Sequence, residues 1–464
     1  MTTAETRYEY GPRAKRGYAG MSPAQIVVLL FAAFVAVAVL NVVGGIVGLP
    51  LAVGVGALGG LLTFTRHAGL ALPEWLPVLW QRARGQRRWV HPGPAEDELL
   101  NALSSYPTWP KALGSVASRG GDLTPYLYDG APVGLLDVTA PAAFTLAGSH
   151  TRTAATSGFA ATLAGLAEPG GLVEAVSWSV RVSPADPGAL DTWATEHTDT
   201  TAHPELAASY AALLAEAGPV GQHHTHTLAV RLRNGRETTY AKRLAGGLGP
   251  LVAREVERLA VQLGDAGVKA TPITTSAHDR VVSHLDLFGV PSPDLPVVGF
   301  ADEWDAVRVD GNLFRVLWVE DMPRVPVAAD FLAPLLLGCR APRIVTLIAR
   351  PVPADAAVST AERQAGGQEA DAELLARHGV RLSAARRRAL GASQTREAEL
   401  TGGHALIRYV ALVAVSAPDK ASLADATAEV IAAGAKARLR LRVLYGRQGA
   451  ALAAVLPLAR KVTK

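Results

Sequence analysis

The chain has 464 residues, of which 49% are hydrophobic, and its 45 Lys and Arg against 41 Asp and Glu leave a formal net charge of +4. This length predicts more than one structural unit, and so small a net charge argues against direct nucleic-acid binding, which typically needs a dense basic stripe. The single cysteine, Cys339, excludes an intrachain disulfide framework and a zinc site built from cysteines.

Two uncharged apolar runs stand near the N-terminus. The first, residues 24–43, would be about 30 Å long as a helix, which matches the hydrocarbon core of a bilayer. The second, residues 46–64, follows directly after Gly44-Gly45. Together they predict a transmembrane helical hairpin over residues 24–65. The alternative is a cleaved signal peptide followed by a hydrophobic segment, although the first run is longer than a typical signal-peptide core.

Basic residues flank this hairpin on both sides and are absent from its turn. The basic N-terminal segment, residues 1–23, contains Arg7, Arg13, Lys15 and Arg16, and the residues after the hairpin include Arg66, Arg82, Arg84, Arg87 and Arg88. Because Lys and Arg favour the cytoplasmic side of a membrane, we expect both flanks to be cytoplasmic. The protein is therefore predicted to be a multi-pass protein of the cell (inner) membrane with a large cytoplasmic C-terminal part.

Gly56 and Gly60, in the second apolar run, have the GxxxG spacing that lets two helices approach closely in lipid. We predict that they form a helix-packing surface. The alternative is a chance occurrence in a sequence rich in Ala and Gly.

The linker after the hairpin, residues 66–91, interleaves tryptophans with arginines. Aromatic rings and long cationic side chains suit the headgroup layer of a membrane, so this segment is predicted to lie at the membrane interface, with an ordinary linker as the alternative. The residues concerned are Trp75, Trp80, Trp89, Arg82, Arg84, Arg87 and Arg88.

Residues 92–295 are predicted to form a first cytoplasmic α+β unit. Residues 174–182 alternate between apolar and polar side chains, which is typical of a half-buried strand. One face would carry Val176, Trp178, Val180 and Val182, and the other Ser177, Ser179 and Arg181. The remaining predicted elements are a helix over 204–218, a strand over 224–233, a helix over 250–264, a strand over 267–273 and a helix over 276–287.

Residues 296–464 are predicted to form a second α+β unit, in which a hairpin turns at Asp310-Gly311. The elements after it are a helix over 327–337, a strand over 343–350, a charged helical arm over 354–400, a strand over 404–416, a helix over 419–434 and a closing strand. The fold class is therefore α+β, with a two-helix transmembrane hairpin followed by two units whose sheets are mostly antiparallel.

The sequence contains no GxxxxGK[ST] loop, no GxSxG and no HExxH. No catalytic, cofactor or metal site is therefore predicted, and the protein is not expected to be an enzyme. The alternative is a membrane-bound metal-dependent hydrolase in which His224 and His226, on one strand face, bind a metal with Glu196 or His203 as a third ligand.

Three segments carry a resemblance to known proteins. Residues 311–338, "GNLFRVLWVEDMPRVPVAADFLAPLLLG", resemble part of the N-terminal domain of conjugation and type IV secretion ATPases. The closing segment, residues 438–458, "RLRLRVLYGRQGAALAAVLPL", is similar to the stretch that leads into the motor of those ATPases, and the hairpin resembles their small two-span membrane component. The residues that carry the likeness are Trp318, Pro323, Tyr445, Gln448 and Pro457.

Together these segments resemble an actinobacterial family of conjugation-associated membrane proteins, which combine the hairpin with a motorless ATPase N-terminal domain. The resemblance implies a non-enzymatic inner-membrane scaffold of a type IV secretion-like apparatus, whose chain ends where the motor would begin. Its expected partners are the lipid bilayer, other membrane proteins of the apparatus and a cytoplasmic secretion ATPase, and a homo-oligomer is left open. A membrane component of a type VII secretion system is the alternative.

The closing segment is expected to dock the separate motor. Arg438, Arg440 and Arg442 alternate with apolar residues and would present a cationic row to acidic groups, with Tyr445 and Gln448 beside it. The alternative is that these arginines solvate an outer sheet face and discourage edge pairing.

Overall fold

The computed structural model describes residues 22–84, 88–90, 111–118, 121–139, 148–168, 170–185, 192, 195–197, 203–217, 221–273, 299–309, 311–377, 384–402 and 404–460. Within these residues the chain is mixed α+β, with two N-terminal apolar helices and a large antiparallel sheet, as the sequence predicts. The helix predicted over 276–287 lies outside the described residues.

The N-terminal part contains α1 (Pro23–Val43), α2 (Gly45–Phe64), β1 (Arg66–His67), β2 (Leu70–Ala71), α3 (Leu72–Arg84) and β3 (Arg88–Val90). The first half of the sheet region contains β4 (Lys111–Ala112), β5 (Val116–Ser118), β6 (Gly121–Leu123), β7 (Tyr126–Tyr128), β8 (Ala131–Thr139), α4 (Ser149–Gly165), β9 (Val173–Pro184), α5 (Pro204–Ala217), β10 (Gln222–Leu232), α6 (Arg236–Leu244), α7 (Leu248–Asp265) and β11 (Lys269–Pro272).

The second half contains β12 (Gly299–Asp302), β13 (Val307–Val309), β14 (Asn312–Asp321), α8 (Ala333–Leu336), β15 (Arg343–Val352), α9 (Ala354–Arg377), α10 (Ala384–Thr401), β16 (Leu406–Ala417), α11 (Lys420–Lys436), β17 (Arg440–Val443) and α12 (Gln448–Val455).

The two apolar helices form a hairpin whose bounds lie within a residue of those predicted. Ser22 and Gln25 make a capping box at the start of α1, and Pro23 occupies its first turn, where no backbone donor is needed. At the other end, Gly44 and Gly45 have φ of 56° and 61°, a left-handed conformation that favours glycine and reverses the chain. Both helices are long and apolar enough to cross a membrane. Only 6% of the most apolar stretch of α1 and 17% of that of α2 are buried.

Among the described residues, the strands of both predicted units join in one sheet of 13 strands. Its order is β3-β12-β13-β14-β16-β15-β9-β10-β8-β7-β4, with β11 pairing to β8 and β17 pairing to β14. The halves meet where β9 pairs with β15, antiparallel, over residues 176–182 and 343–349. The joining of the two sheets through β9 is a feature that the sequence did not indicate.

Helices cover one side of this sheet, which we call the helix face. On the first half, α7 packs Leu251, Val256 and Leu259 against strand residues such as Val176 and Val230. On the second half, α11 packs against β14 and β16, in a cluster of its own. Burial of these apolar side chains is the main favourable term for the fold.

The opposite side of the sheet, the strap face, is covered by α12 and the residues that follow it. Val455 and Leu452 pack on Phe314, Val316 and Ile344. Farther along, Leu456 and Leu458 pack on the first half, against Tyr126, Val133, Leu135 and Ala229. The prediction that β9 is half-buried was therefore wrong, because Ser177, Ser179 and Arg181 on its polar side are also buried beneath this cover.

The helix predicted over 327–337 is much shorter, since only Ala333–Leu336 is helical. The reason is Arg343, which is fully buried and donates hydrogen bonds to four backbone carbonyl oxygens. Its guanidinium donates to the carbonyl oxygens of Leu335, Leu336, Cys339 and Ala341 at 2.6–2.8 Å. Because two of these carbonyls lie beyond the helix, the chain wraps around the cation instead of continuing the helix.

The charged arm predicted over 354–400 consists of two helices, α9 and α10, that pack against each other. Ala357, Ala361 and Leu400 form a small buried cluster at the base of the pair. Farther out, Gln394 Nε2 donates to Glu369 Oε1 at 3.0 Å on the exposed surface.

Candidate functional site at the base of the apolar hairpin

Helix α3 connects the apolar hairpin to the sheet through Trp75. The indole stacks on Trp304, with ring centroids 5.4 Å apart and an angle of 23° between the planes, and its Nε1 donates to the carbonyl oxygen of His67 at 3.2 Å. Trp75 is only 7% exposed. Trp75, which was expected to contact a membrane headgroup layer, therefore packs against the protein itself.

Arg82, about two turns farther along α3, also contacts the protein. Its Nη1 and Nη2 donate to the carbonyl oxygens of Glu303 and Asp302 at 3.1 and 3.2 Å, and the guanidinium lies 5.5 Å from the Trp304 ring centroid. A role for Arg82 as a snorkelling cation is contradicted, since its guanidinium donates to two backbone carbonyl oxygens and lies over the Trp304 ring.

Other members of the predicted interfacial segment are arranged differently. Trp80 is 57% exposed and forms an apolar strip on α3 with the exposed Leu76 and Leu79. The segment 88–90, expected as part of a linker, is the edge strand β3, in which Arg88 and Trp89 pair with Ala301 and Phe300 of β12. Arg87, and the side chains of Arg84, Arg88 and Trp89, lie outside the described residues.

Two arginines of the predicted cationic row bind one carboxylate within the chain. Arg440 Nε and Arg442 Nη1 lie 3.1 and 3.6 Å from Glu320 oxygens, and the Arg442 guanidinium stacks 4.9 Å from the centroid of Trp318. Burial lowers the pKa of Arg442, and the negative charge of Glu320 opposes that shift.

Arg442 also contacts the loop at the foot of the hairpin. A Cβ on Gly69, between β1 and β2, would lie 2.8 Å from Arg442 Nη1, and the φ of Gly69 is 81°. Only glycine combines this close approach with that backbone conformation at no steric cost. The loop at the foot of the hairpin thus covers a residue that was expected to face a partner.

Arg438 does not belong to the strand at all. It follows α11 with φ of 58°, and the strand itself begins at Arg440. The expectation of one continuous row of three arginines is therefore corrected to two strand residues, of which Arg440 is exposed and Arg442 is largely covered.

Gln448, expected beside the docking row, is fully buried. Its Oε1 accepts from Val316 N at 2.7 Å, and its Nε2 donates to the carbonyl oxygens of Val316 and Leu444 at 3.2 and 2.9 Å. A role for Gln448 in contacting a partner is contradicted, because two of these hydrogen bonds join the closing segment to Val316 of β14 and the third stays within the closing segment. Tyr445 is partly exposed.

The closing segment also meets α3 and the loop after β12. Gly446, with φ of 71°, donates its N–H to the carbonyl oxygen of Trp304 at 2.7 Å, and a Cβ there would lie 3.0 Å from both Trp304 and Val78. Asp302 Oδ1 accepts from Gly449 N at 3.1 Å. The hairpin, α3, the loop at Trp304 and the closing segment therefore form one packed junction.

The packing surface within the hairpin lies one position away from the predicted one. A Cβ on Gly59 would lie 2.3 Å from Cβ of Ala32, whereas Gly56 and Gly60 have nothing within 4 Å of such an atom. The buried residues of α2 are Gly48, Ala52, Gly59 and Thr63. Gly56 and Gly60 therefore do not belong to the seam between α1 and α2, which follows spacings of four and seven residues that pass beside them.

His224 and His226 of β10 are partly buried on the helix face, where the His226 ring packs edge-on against Trp178 at 6.4 Å. Burial lowers the pKa of both His224 and His226. Among the described residues, no group of three or more His, Cys, Asp or Glu side chains is placed to hold a metal ion.

Sequence reasoning missed the residues that build the junction, above all Trp304, Asp302 and Glu320. One signal was available, because Trp304 lies between acidic residues in "DEWD", at positions 302–305, in a chain whose linker is rich in Arg. No protein-family model matches this sequence, and a search of curated proteins found no match.

Proposed function

We propose that the protein is a membrane-anchored, non-enzymatic scaffold of a type IV secretion-like apparatus, which holds a motor ATPase at the cytoplasmic face. The observation that carries this proposal is the junction described above. An apolar hairpin with an exposed surface is fixed to a large sheet by Trp75, Arg82 and the closing segment. Such an arrangement suits a part that sets the distance and orientation of partners relative to a bilayer.

The exposed surface of the hairpin supports a membrane location. Side chains such as Phe34 and Ile46 point away from the partner helix and are 71% and 94% exposed, an arrangement that water disfavours and lipid does not. The exposed strip of Leu76, Leu79 and Trp80 continues this apolar surface onto α3. A helix placed in this way would lie along the headgroup layer, with its other side held by the sheet.

The charge distribution supports a cytoplasmic sheet domain. Basic residues stand on both sides of the hairpin and none stands in its turn, so the positive-inside rule favours cytoplasmic flanks. The likeness of residues 311–338 to the N-terminal domain of secretion ATPases, which the sequence carries, supports a motor of that class as the partner.

Reporter fusions after residue 16, at Gly45 and after residue 95 test the orientation. We expect cytoplasmic, external and cytoplasmic signals in that order. An external signal for the fusion after residue 95 would contradict the proposal, because a cytoplasmic motor could not then reach the sheet.

Capture of the motor from membranes tests the docking step. Arg438 and Arg440 are the cations of the closing segment that remain exposed, so we expect R438E/R440E to reduce co-purification of the apparatus ATPase. Arg442 stays unchanged because it packs inside the junction. Charge reversal of Arg377, exposed on the helical arm, is the matched control and should leave capture unchanged. Equal capture by the double variant and the control would remove Arg438 and Arg440 from the docking surface.

A further inference from the structure

The sheet region contains one series of elements twice, apart from α6, which is additional in the first half between β10 and α7. The first half runs β7, β8, α4, β9, α5, β10, α7 and β11, and the second runs β13, β14, α8, β15, α9 with α10, β16, α11 and β17. We infer that the two halves are copies of one unit, fused in tandem and packed as an intramolecular dimer about a pseudo-two-fold axis, with the closing segment as its clamp. The inference is independent of the proposed function.

The sheet order supports this inference. Each half has the neighbours β8-β10-β9 or β14-β16-β15, and the inner strands β9 and β15 pair with each other. In each half the hairpin strand also pairs at its start with the preceding strand and at its end with the closing strand, namely β7 and β11 on β8, and β13 and β17 on β14. Across the sheet the strands run β14-β16-β15 and then β9-β10-β8, so one half follows the other in reversed spatial order. These pairs are antiparallel.

The registers agree residue by residue. Asp137 of β8 is opposite a residue of β10 on one side and a residue of β11 on the other, and Trp318 of β14 has the same two kinds of neighbour. The residues paired with Asp137 are Thr227 and Thr271, and those paired with Trp318 are Leu412 and Arg442. Asp137 and Trp318 therefore occupy equivalent positions.

The same registers locate the axis. Thr227 is paired with Ser179 in the first half, and its equivalent Leu412 is paired with Thr346 in the second, so Ser179 and Thr346 are also equivalent. These two residues are paired directly with each other across the β9–β15 seam. In an antiparallel pair related by a two-fold axis, equivalent residues face each other only at the axis, so the axis passes between Ser179 and Thr346.

The helix ends give independent support, because α7 and α11 terminate in the same hydrogen-bonded turn. Gly267 N and Val268 N donate to the carbonyl oxygens three and five residues earlier, at 2.9 and 2.8 Å, and Arg438 N and Leu439 N do the same at 2.9 and 2.8 Å. Gly267 has φ of 78° and Arg438 has φ of 58°. The left-handed conformation of Arg438, unusual for a residue with a side chain, occurs where the first half has glycine.

The closing segment crosses the axis and has no counterpart among the described residues of the first half. The Ser179 and Thr346 hydroxyl oxygens lie 3.0 Å apart, and both are within hydrogen-bond distance of the carbonyl oxygen of Val455, at 3.2 and 2.7 Å. Beyond the axis, the Tyr126 hydroxyl donates to the carbonyl oxygen of Pro457 at 2.9 Å. One segment of the second half thus contacts both halves and holds the seam together.

Disulfide cross-linking of the full chain tests the axis. In a Cys339→Ser background, with a site-specific protease sequence inserted within residues 274–298, S179C/T346C would link the two halves and S179C/T227C would link two strands of the same half. After mild oxidation and cleavage, we expect the first variant to remain one band on a non-reducing gel and the second to give two fragments. Oxidation of S179C/T227C without any product from S179C/T346C would overturn the inference.

Two further measurements keep the test decisive if a cysteine pair disturbs folding. Without cysteine pairs, the cleaved chain should elute as one species under native conditions, and separation of the halves would contradict a clamped pseudo-dimer. Arg438→Gly should raise Tm, because glycine adopts the left-handed conformation without strain. The equivalent turn after α7 already has glycine, Gly267, at this position. A lower Tm would show that the two turns are not equivalent.

Discussion

The apolar hairpin and residues 449–458, the last part of the closing segment, have similar compositions and opposite surroundings. Both are rich in Ala, Leu, Val and Gly, yet Phe34 in α1 is 71% exposed, whereas Val455 in α12 is fully buried against the strap face of the sheet. The difference lies in polar attachment points, because the closing segment carries Gln448 and contacts Ser179 and Thr346. An apolar helix is therefore held against the sheet by the hydrogen-bonding groups around it, in addition to its hydropathy.

The largest effect should come from removing the polar attachment of the closing segment. Gln448→Leu leaves Val316 N without its side-chain acceptor in a fully buried place, and we expect a loss of about 2–3 kcal/mol in the free energy of unfolding. Gln394→Leu, on the exposed arm, is the control and should change it by less than about 0.5 kcal/mol. Equal losses in denaturant unfolding would show that the closing segment is not anchored at Gln448.

A smaller effect is expected within the hairpin. Gly59→Leu places a side chain where Cβ alone would lie 2.3 Å from Ala32, and overpacking of this kind costs about 1–3 kcal/mol. Gly56→Leu is the matched control, because its Cβ meets open space. Thermal unfolding in detergent or lipid should separate the two variants. The seam assigned to Gly59 would be contradicted if Gly56→Leu were the more destabilising.

The smallest effect concerns pH, and it applies to the helix face rather than to the hairpin. Burial lowers the pKa of His226 below its ordinary 6.5, so as the pH falls through that value the unfolded chain binds protons that the folded chain does not. Stability should therefore be full above this range and decline below it. We expect a shallower decline of Tm with acid in His226→Leu than in the natural chain or in His223→Gln, an exposed neighbour. Parallel curves of Tm against pH for His226→Leu and the natural chain would exclude His226 as a cause of the loss of stability in acid.

Local patterns predicted the hairpin and most elements after residue 173, because they depend on neighbours in sequence, whereas α3, β8 and α4 were not predicted. The bounds of α1, β16 and α11 lie within about two residues of those expected, which is the usual uncertainty at element ends. The pairing of β9 with β15, and the burial of Ser179 that follows, depend on partners more than 150 residues away, as the separation of 167 between Ser179 and Thr346 shows. Alternation within β9 alone could not reveal what covers its polar side.

The candidate site was predicted less well for a related reason. Trp and Arg side chains, such as Trp75 and Arg82, are typical of a membrane interface. The same residue types also suit a buried aromatic stack that includes a cation. Which of the two forms is decided by Trp304 and Asp302, more than 200 residues later in the chain, as the separation of 220 between Arg82 and Asp302 shows. Gly59 and Gly56 are likewise both glycines of α2, and only the position of α1 determines that Gly59 rather than Gly56 contacts it.

Spin labels can test directly whether the exposed surface of the hairpin faces lipid while that of the sheet region faces water. Phe34 in α1 and Leu206 in α5 are apolar residues of similar exposure, 71% and 66%, and each can carry a label in a Cys339→Ser background. In membranes, we predict that the label at residue 34 is relaxed mainly by oxygen, which concentrates in lipid, and the label at residue 206 by a water-soluble nickel complex. Strong relaxation by the nickel complex at residue 34, equal to that at residue 206, would contradict the account.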